Sequence, residues 1–297
     1  MKKVKLSLLS KNGKVLGIVS FFICLFFILA KAYVYAEKNC TEVYGKGETE
    51  IAIATGSPGE LGLLKVLIEE FNKEKPVKVC WIKAGTGESL KLLKENLVDL
   101  VMVHAPDAEK KAVTEGWATK RTLIGSNEFY IVGPKNDPAK IAEAKNVVDV
   151  YNRIKETKSK FISRGDNSGT HKKEMEIWKK AGYLPDPSKD KWYIVTKDFM
   201  AASLKKANDE KAYFMTDSST WIMMKKDLPN LKVLFKGDKF LVNVYHALCS
   251  KFCKPEAEKF IEFLTSERGQ ETIRSFGKAQ YGEAFYNDLN YAKKYAE

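Results

Sequence analysis

The chain has 297 residues and a formal net charge of +12, with 50 Lys and Arg residues against 38 Asp and Glu residues. A chain of this length can bury a large core and suits an arrangement of two lobes. Its basic residues are spread along the sequence without a basic and aromatic stripe or zinc-finger spacing, which argues against nucleic acid as a partner. A moderately basic chain favours a small anionic ligand or an acidic surface instead.

Residues 1–36 predict a cleavable secretory signal peptide. Five lysines precede the apolar run 15–30, and small-residue cleavage sites follow at 30–32 and 34–36, an order typical of exported proteins. An uncleaved anchor is the alternative, because about 16–20 apolar residues nearly span a bilayer. A lipid anchor is not favoured, since Cys24 does not follow a small residue. Removing the segment takes away six lysines and no acid, so the charge falls from +12 to +6. The working chain is expected in the periplasm or an equivalent extracytoplasmic space.

Three apolar runs in the first third of the chain predict strands, and each is followed by a short turn and a helical pattern. The runs are IAIA (51–54), VKVCWI (77–82) and VDLVMV (98–103). Apolar residues recur at helical spacing between them. Strands that alternate with helices predict a parallel sheet and an α/β fold.

The same alternation restarts after residue 138. FISRG, YIVT and AYFMT predict strands, with helices from about Gly169, near 200 and near 219. FLVNVYHAL (240–248) predicts a further strand before two terminal helices. FYIVG and FLVNVYHAL bracket the middle block, and we interpret them as crossings between two lobes. This predicts one lobe of residues 48–133 plus 240–297 and a second lobe of residues 134–239.

Four cysteines remain after removal of the predicted signal peptide: Cys40, Cys80, Cys249 and Cys253. An oxidising compartment permits disulfides, and four cysteines allow three pairings. Cys80 lies in an apolar run and could be a buried thiol, while Cys249 and Cys253 could close a small loop. Their pairing stays open at this point, and none of them is interpreted as catalytic.

Four strand-to-helix turns share the same chemistry, because each offers hydroxyls, small residues or free backbone N–H groups. The relevant residues are Thr55, Gly56 and Ser57 in the first turn, Thr86 and Gly87 in the second, His104 in the third, and 163–170 in the fourth. Helix starts carry unpaired donors and the positive end of the helix dipole, so they bind anions. In an open α/β sheet all four lie at the carboxyl edge, where ligands bind. Ordinary capping explains one such turn, but not Arg164 two residues before Asp166.

The segment FISRGDNSGTHKKE, residues 161–174, is similar to the signature of tungstate-binding proteins of ABC transporters, the TupA family. SLKLL after AGTG, VDLVMVHAPDAEK, GWATKR, FYIVGPKNDP and FLTSERGQ also resemble that family in its order. The resemblance runs from about Ile51 to Phe276. Members usually carry Thr-Thr-Thr-Ser after the first strand, where this chain has ATGS at 54–57. The first turn is therefore expected to rely more on backbone N–H groups.

The resemblance implies a type II periplasmic binding protein, with two lobes and the ligand cleft between them. It implies a monomer that carries tungstate or molybdate to an ABC transporter permease and uses no cofactor or metal cation. A desolvated tetrahedral dianion needs several fixed donors in place of water. Arg164 is expected to supply charge-assisted bonds, and Asp166 to hold its guanidinium. Ser168, Gly169 and Thr170 are expected to complete the cradle at the helix end.

The turn with His104 bears on which oxyanion is bound. Phosphate-binding proteins resemble this chain in Arg-x-Asp-x-Ser-Gly-Thr, but they tend to carry Asp-Ala-Pro where this chain has His-Ala-Pro at 104–106. A carboxylate would repel a fully deprotonated dianion, whereas histidine can donate, which favours tungstate or molybdate over phosphate. A structural histidine bonded to the backbone is the alternative. The sequence does not rank tungstate against molybdate.

Other function classes receive less support. No Gly-x-Ser-x-Gly elbow, phosphate loop or HExxH is present, which argues against an enzyme. A surface adhesin would fit export but would not explain four donor-rich turns. His171 and Glu174 have i, i+3 spacing, and we interpret them as a solvated first helical turn and not as a metal pair.

Overall fold

Strands and helices alternate along residues 39–296, the part of the chain that the computed structural model describes. The predicted signal peptide and Cys24 lie outside the described residues. The strands are β1 (Glu42–Tyr44), β2 (Glu50–Thr55), β3 (Lys78–Lys83), β4 (Leu100–Val103), β5 (Ala118–Pro134), β6 (Phe161–Ser163), β7 (Tyr193–Val195), β8 (Tyr213–Asp217), β9 (Leu231–Phe235) and β10 (Val242–Ser250).

The helices follow the strands in turn. They are α1 (Ser57–Glu60), α2 (Leu63–Phe71), α3 (Thr86–Lys94), α4 (Pro106–Thr114), α5 (Val147–Thr157), α6 (Gly169–Lys180), α7 (Met200–Glu210), α8 (Ser218–Met224), α9 (Pro255–Thr265), α10 (Glu267–Ser275), α11 (Lys278–Tyr281) and α12 (Leu289–Ala292), with 3-10 turns at Ile141–Glu143, Lys225–Asp227 and Lys239–Leu241. None of these helices between residues 39 and 296 is long and apolar enough to span a bilayer.

The strands pair in the order β1-β3-β2-β4-β10-β5-β8-β6-β7, and β9 also pairs with β5. β2 is parallel to β3 and β4, and β6 is parallel to β7 and β8. The predicted α/β fold is therefore confirmed. The three strands that predicted a parallel sheet are parallel to one another, which confirms that prediction. The whole sheet is mixed, because the antiparallel strands β5 and β10 lie between the two parallel blocks.

The long strand β5 belongs to both blocks. Its first part pairs with β10 up to Glu128, opposite Val242. From Phe129, opposite Asp217, it pairs with β8 and β9. We call β1–β4, β10 and the first part of β5 the first strand group, and β6–β9 with the rest of β5 the second strand group. The segments interpreted as lobe crossings, FYIVG and FLVNVYHAL, form the second part of β5 and most of β10.

Each strand group is covered by helices that bury an apolar face. On α2 the buried residues are Leu63, Leu64, Leu67, Ile68 and Phe71, which recur at helical spacing. They join a core with strands of the first group and with α9. A separate aromatic cluster around Trp178 and Phe161 supports the second group. Each fully buried side chain of this size contributes about 1.5–3 kcal/mol to the stability of the fold. The strands of both groups are therefore firmly packed against their helices.

Both pairs of the remaining cysteines form disulfides. Cys40 is joined to Cys80 and Cys249 to Cys253. The interpretation of Cys80 as a free buried thiol is therefore wrong, since its sulfur ties the chain before β1 to β3. The suggestion that Cys249 and Cys253 close a small loop is confirmed.

The two disulfides should differ in their effect on stability. In the chain-entropy model, a bond that spans 40 residues stabilises by about 3–4 kcal/mol and one that spans four by about 2 kcal/mol. The double variant C40S/C80S should therefore lose more free energy of unfolding in urea than its matched control, C249S/C253S. Equal losses would contradict the loop-length explanation.

Candidate functional site

A small cavity lies where the four donor-rich turns meet. Its wall is formed by Gly56, Ser57, Pro58, Glu60, Gly85, Thr86, Met102, His104, Arg164, Ser168, Phe199 and Tyr245. The cavity is small and its wall carries several hydrogen-bond donors, which favours a compact polar ligand over a large organic substrate. Most wall residues follow β2, β3 and β4 of the first strand group or β6 and β7 of the second, while Met102 lies in β4 and Tyr245 in β10. The cavity therefore lies between the two groups.

The structure brings six of the predicted anion-binding residues onto this wall. They are Gly56, Ser57, Thr86, His104, Arg164 and Ser168. Thr55 lies elsewhere: it is buried in β2, and its hydroxyl donates to the carbonyl oxygen of Met102 at 2.8 Å. Thr55 therefore links β2 to β4, and its hydroxyl is committed to this bond.

Three further predicted residues lie next to the wall. Gly87 packs against Asn167, whose backbone oxygen would be 2.9 Å from a Cβ at this position. Gly169 faces the ring of His104, and Thr170 is buried in the first turn of α6. These residues allow the turns to approach each other closely, and the wall itself does not include them.

Arg164 is the charged donor of the cavity, and it is only 5% exposed. Its Nη2 donates to Oδ2 of Asp166 at 2.5 Å, and its Nε donates to the carbonyl oxygen of Asp198 at 3.1 Å. The other carboxylate oxygen of Asp166 accepts the backbone N–H of Ser168 at 3.1 Å. Asp166 therefore fixes the guanidinium and the start of α6 together.

Helix starts supply further donors. Ser168 is the N-cap of α6, and its hydroxyl oxygen accepts the N–H of His171 at 3.3 Å. Its own hydroxyl proton stays available to a ligand. Gly85 is the N-cap of α3, where no side chain caps the helix. Uncapped N–H groups and two helix dipoles therefore add to the positive potential of Arg164.

His104 lies on the wall with its Nδ1 2.8 Å from Oδ1 of Asn243. The structural alternative for this histidine assumed a bond to backbone, but the partner is a side chain of β10. Burial lowers the pKa of His104 to about 4, the hydrogen bond to Asn243 opposes this shift, and the charges of Arg164, Lys173 and Lys172 lower it further. The ring is therefore neutral at pH 7 without a ligand.

Sequence reasoning missed the apolar part of the wall. The ring of Phe199, from the turn before α7, lies 4.2 Å from Nζ of Lys83 and 5.7 Å from Cζ of Arg164. Lys83 also pairs with Glu60 at 2.6 Å. Phe199 follows a predicted strand and precedes a predicted helix, so its position at the carboxyl edge was a usable signal. Tyr245 had no such signal.

The interpretation of Glu174 as solvated is wrong. Glu174 is buried, and it accepts hydrogen bonds from Tyr193 at 2.5 Å and from Trp178 at 3.3 Å. Burial raises the pKa of Glu174 to about 7, although these hydrogen bonds oppose the shift. His171 is half-buried, and its Nδ1 accepts the N–H of Asn167. Between residues 39 and 296, no group of three or more His, Cys, Asp or Glu residues could hold a metal ion.

The fold and the donor-lined cavity between two strand groups define a solute-binding architecture. In agreement with it, the family description "PBP superfamily domain" matches residues 42–268. This match covers most of the chain and both strand groups.

Similar proteins identify a family within this superfamily. "Tungstate-binding protein TupA" of Peptoclostridium acidaminophilum is 34% identical over 84% of this chain and 88% of its own length. The protein of the same name from Campylobacter jejuni is 36% identical over 74% of this chain and 84% of its own. The solved tungstate ABC transporter structure from Geobacter sulfurreducens is 37% identical, covers 78% of this chain and 100% of its own, and has a TM-score of 0.69. The chain therefore belongs to the TupA family within the PBP superfamily.

These relatives confirm the predicted family and the predicted two-lobed binding fold. They are named as binding proteins, so they also support the prediction of a binding protein over an enzyme.

Gly169 should tolerate no side chain, because a Cβ would lie 2.4 Å from Cε1 of His104. Gly169→Ala should displace the ring and lower the free energy of unfolding by about 1–3 kcal/mol, as overpacking does. Urea denaturation measures the loss. Gly85→Ala is the control, since its Cβ would make an ordinary contact with Ser168 at 3.4 Å. Equal losses in the two variants would contradict the close packing of Gly169 on His104.

Proposed function

We propose that this chain captures tungstate, or molybdate, in the cavity between its lobes and delivers it to the membrane permease of an ABC transporter. The names of its relatives support this ligand and this system. The predicted signal peptide places the capture step outside the cytoplasm, and the mature chain acts as a monomer with no cofactor.

The environment of Arg164 is the observation that supports this proposal most strongly. A guanidinium that is 5% exposed lies beside two helix starts, and Asp166 occupies only part of its hydrogen-bonding capacity. Asp166 balances the charge of Arg164, but N–H groups of a buried guanidinium that have no acceptor are costly. An oxyanion in the cavity would accept from these groups, and its lost hydration would be replaced by the donors of Arg164, Ser168 and the start of α3.

The carboxylates near the cavity disfavour phosphate as the main ligand. Phosphate at neutral pH keeps a proton, which a free carboxylate on the wall would accept. The wall carboxylate is Glu60, and it is paired with Lys83 at 2.6 Å. Asp166 is paired with Arg164. Neither carboxylate is therefore free to accept the proton of phosphate, so these two acids give phosphate no advantage over tungstate or molybdate.

Arg164→Ala should weaken tungstate binding by about 2–5 kcal/mol, roughly thirty-fold or more, because it removes the charged donor. Arg164→Lys should recover part of the loss, since an ammonium lacks the planar fork. Asp166→Ala should cost less than Arg164→Ala, because Asp166 acts by orienting the guanidinium. Calorimetric titration with tungstate, molybdate, sulfate and phosphate measures these affinities.

Arg153→Ala is the matched control for Arg164→Ala. Arg153 also pairs with an aspartate, Asp149 at 3.2 Å, but it lies on α5 away from the cavity. This variant should keep wild-type affinity. A folded Arg164→Ala protein with full tungstate affinity would make the turn an ordinary helix cap and would reject the proposed site.

We further propose that residues 48–133 plus 240–297 form one lobe and residues 134–239 the other. The change of pairing along β5 supports a division in this strand, near Glu128 and a few residues before the proposed boundary. The contact of Lys83 with Phe199 bridges the two strand groups beside the cavity.

Ligand should therefore bring the lobes together. Small-angle scattering should show a smaller radius of gyration with saturating tungstate than without it. The Arg164→Ala protein serves as the control, because a tungstate concentration that saturates the wild type but lies below the Kd of the variant should leave the variant's profile unchanged. Identical wild-type profiles with and without tungstate would contradict lobe closure.

A further inference from the structure

A chain of buried hydrogen bonds runs from the cavity to Asp217. Nδ1 of His104 lies 2.8 Å from Oδ1 of Asn243, and Nδ2 of Asn243 donates to Oδ1 of Asn127 at 2.7 Å. Nδ2 of Asn127 donates to the hydroxyl oxygen of Ser219 at 2.7 Å, and Ser219 donates to Oδ1 of Asp217 at 2.5 Å. Asn243, Asn127, Ser219 and Asp217 are all buried.

Asp217 determines in which direction the hydrogen bonds of this series are donated. Its carboxylate accepts the N–H and the hydroxyl of Thr220, at 2.9 and 2.8 Å, where it caps α8. An ionised carboxylate can only accept, so Ser219 must donate to it. Because the Ser219 proton goes to Asp217, the Ser219 oxygen must accept from Nδ2 of Asn127. Oδ1 of Asn127 must in turn accept from Nδ2 of Asn243. A reversed chain would place the oxygens of Ser219 and Asp217 2.5 Å apart with no hydrogen between them.

The direction of the chain determines the tautomer of His104. Because Oδ1 of Asn243 is an acceptor, the Nδ1 atom of His104 carries the proton. The neutral ring then has a lone pair on Nε2. A tungstate or molybdate dianion also has only acceptor atoms, so an unprotonated Nε2 would repel it.

We propose that the site takes up one proton with each dianion, and that Nε2 of His104 holds this proton in the complex. The inference rests on the proposed function of the cavity. The neutral ring, one solvent proton and the dianion combine into an imidazolium–dianion pair, in which both ring nitrogens donate. Asn243 and Asp217 are positioning residues, since they set which nitrogen is left for the ligand.

The charges around His104 explain why the proton enters only with the anion. Burial lowers the pKa of the unliganded ring to about 4 against the opposing hydrogen bond to Asn243, and the charges of Arg164 from the β6 turn and of Lys173 and Lys172 from α6 lower it further. From β10, Tyr245 packs on the ring with centroids 4.9 Å apart, and Asp217 acts through the chain. A bound dianion reverses the sign of the field and raises the pKa of the ring.

Proton uptake also separates two classes of oxyanion. Monohydrogen phosphate brings its own proton and can donate it to the lone pair on Nε2. Tungstate, molybdate and sulfate at neutral pH bring none. A protonated anion should therefore bind without uptake, whereas a bare dianion should bind with it.

Calorimetric titration with sodium tungstate at pH 7, in buffers of different ionisation enthalpy, counts the protons directly. The wild-type protein should take up close to one proton per tungstate. Its affinity should also fall about tenfold for each unit of rising pH between the free and bound pKa values of His104, as one-proton linkage requires. In His104→Gln the ring is gone, and uptake should fall to zero.

Asp217→Asn tests the positioning role. The new amide can donate to Ser219 and let the chain reverse. Its Nδ2 then takes the place of Oδ1, which also accepts the N–H of Thr220, so α8 gives up that capping bond. Neutral His104 can then present Nε2–H, and proton uptake should fall toward zero while tungstate still binds. Nitrogen-15 NMR of the unliganded ring should show the proton on Nδ1 in the wild-type protein and on Nε2 in the variant.

The outcomes separate this inference from the proposed function. Tight tungstate binding without proton uptake by the wild-type protein would overturn the inference and leave the proposed function intact. Failure of the wild-type protein to bind any oxyanion would overturn both. Uptake of one proton by Asp217→Asn, with an unchanged tautomer, would overturn the positioning role of Asp217.

Discussion

The buried ion pair of Arg164 and Asp166 is the interaction on which the site depends. The guanidinium must be kept in position when no ligand is bound. Some of its N–H groups must also remain free to bind a ligand. Asp166 meets both needs, because one of its oxygens accepts from Arg164 and the other from the N–H of Ser168. Gly165, at φ +60°, lets the turn bend tightly enough for this double contact. The charged donor and the start of α6 are therefore positioned by one carboxylate.

Two other buried carboxylates also accept hydrogen bonds from the groups that hold the strands and turns in place. Glu109 accepts the N–H of Ala105 at 2.7 Å, Nε of Arg121 at 3.0 Å and Nδ1 of His246 at 2.9 Å. It thereby anchors the turn that carries His104. Asp99 accepts the N–H of Ala52 at 2.7 Å, within the first strand group. These acids bind backbone and cations behind the wall, so the negative charge needed for structure is kept away from the face that an anion would meet.

Much of the fold and part of the site were accessible from sequence, because both follow local rules. Apolar runs identified the central parallel strands, and the helix predicted from about Gly169 is α6, which begins at Gly169. The short edge strand β1, the strand β9 and the first part of β5 were missed, since their pairing depends on distant segments. The turns converged as expected, but a turn does not specify which of its side chains faces inward. Thr55 shows this limit, because its hydroxyl bonds a neighbouring strand. The amide network behind His104 was also inaccessible, as its members are far apart in sequence.

The position of β10 constrains the order in which the chain can fold. This strand lies between β4 and β5, although it is the last strand to be synthesised. Until β10 is present, β4 lacks a neighbouring strand on one side. The first part of β5 then has no strand with which to pair. The amino-terminal half therefore cannot reach its final pairing while the ribosome is still producing the middle of the chain. Contacts between such distant segments also make folding slow. The first strand group can therefore complete its pairing only when nearly the whole length of the chain is available.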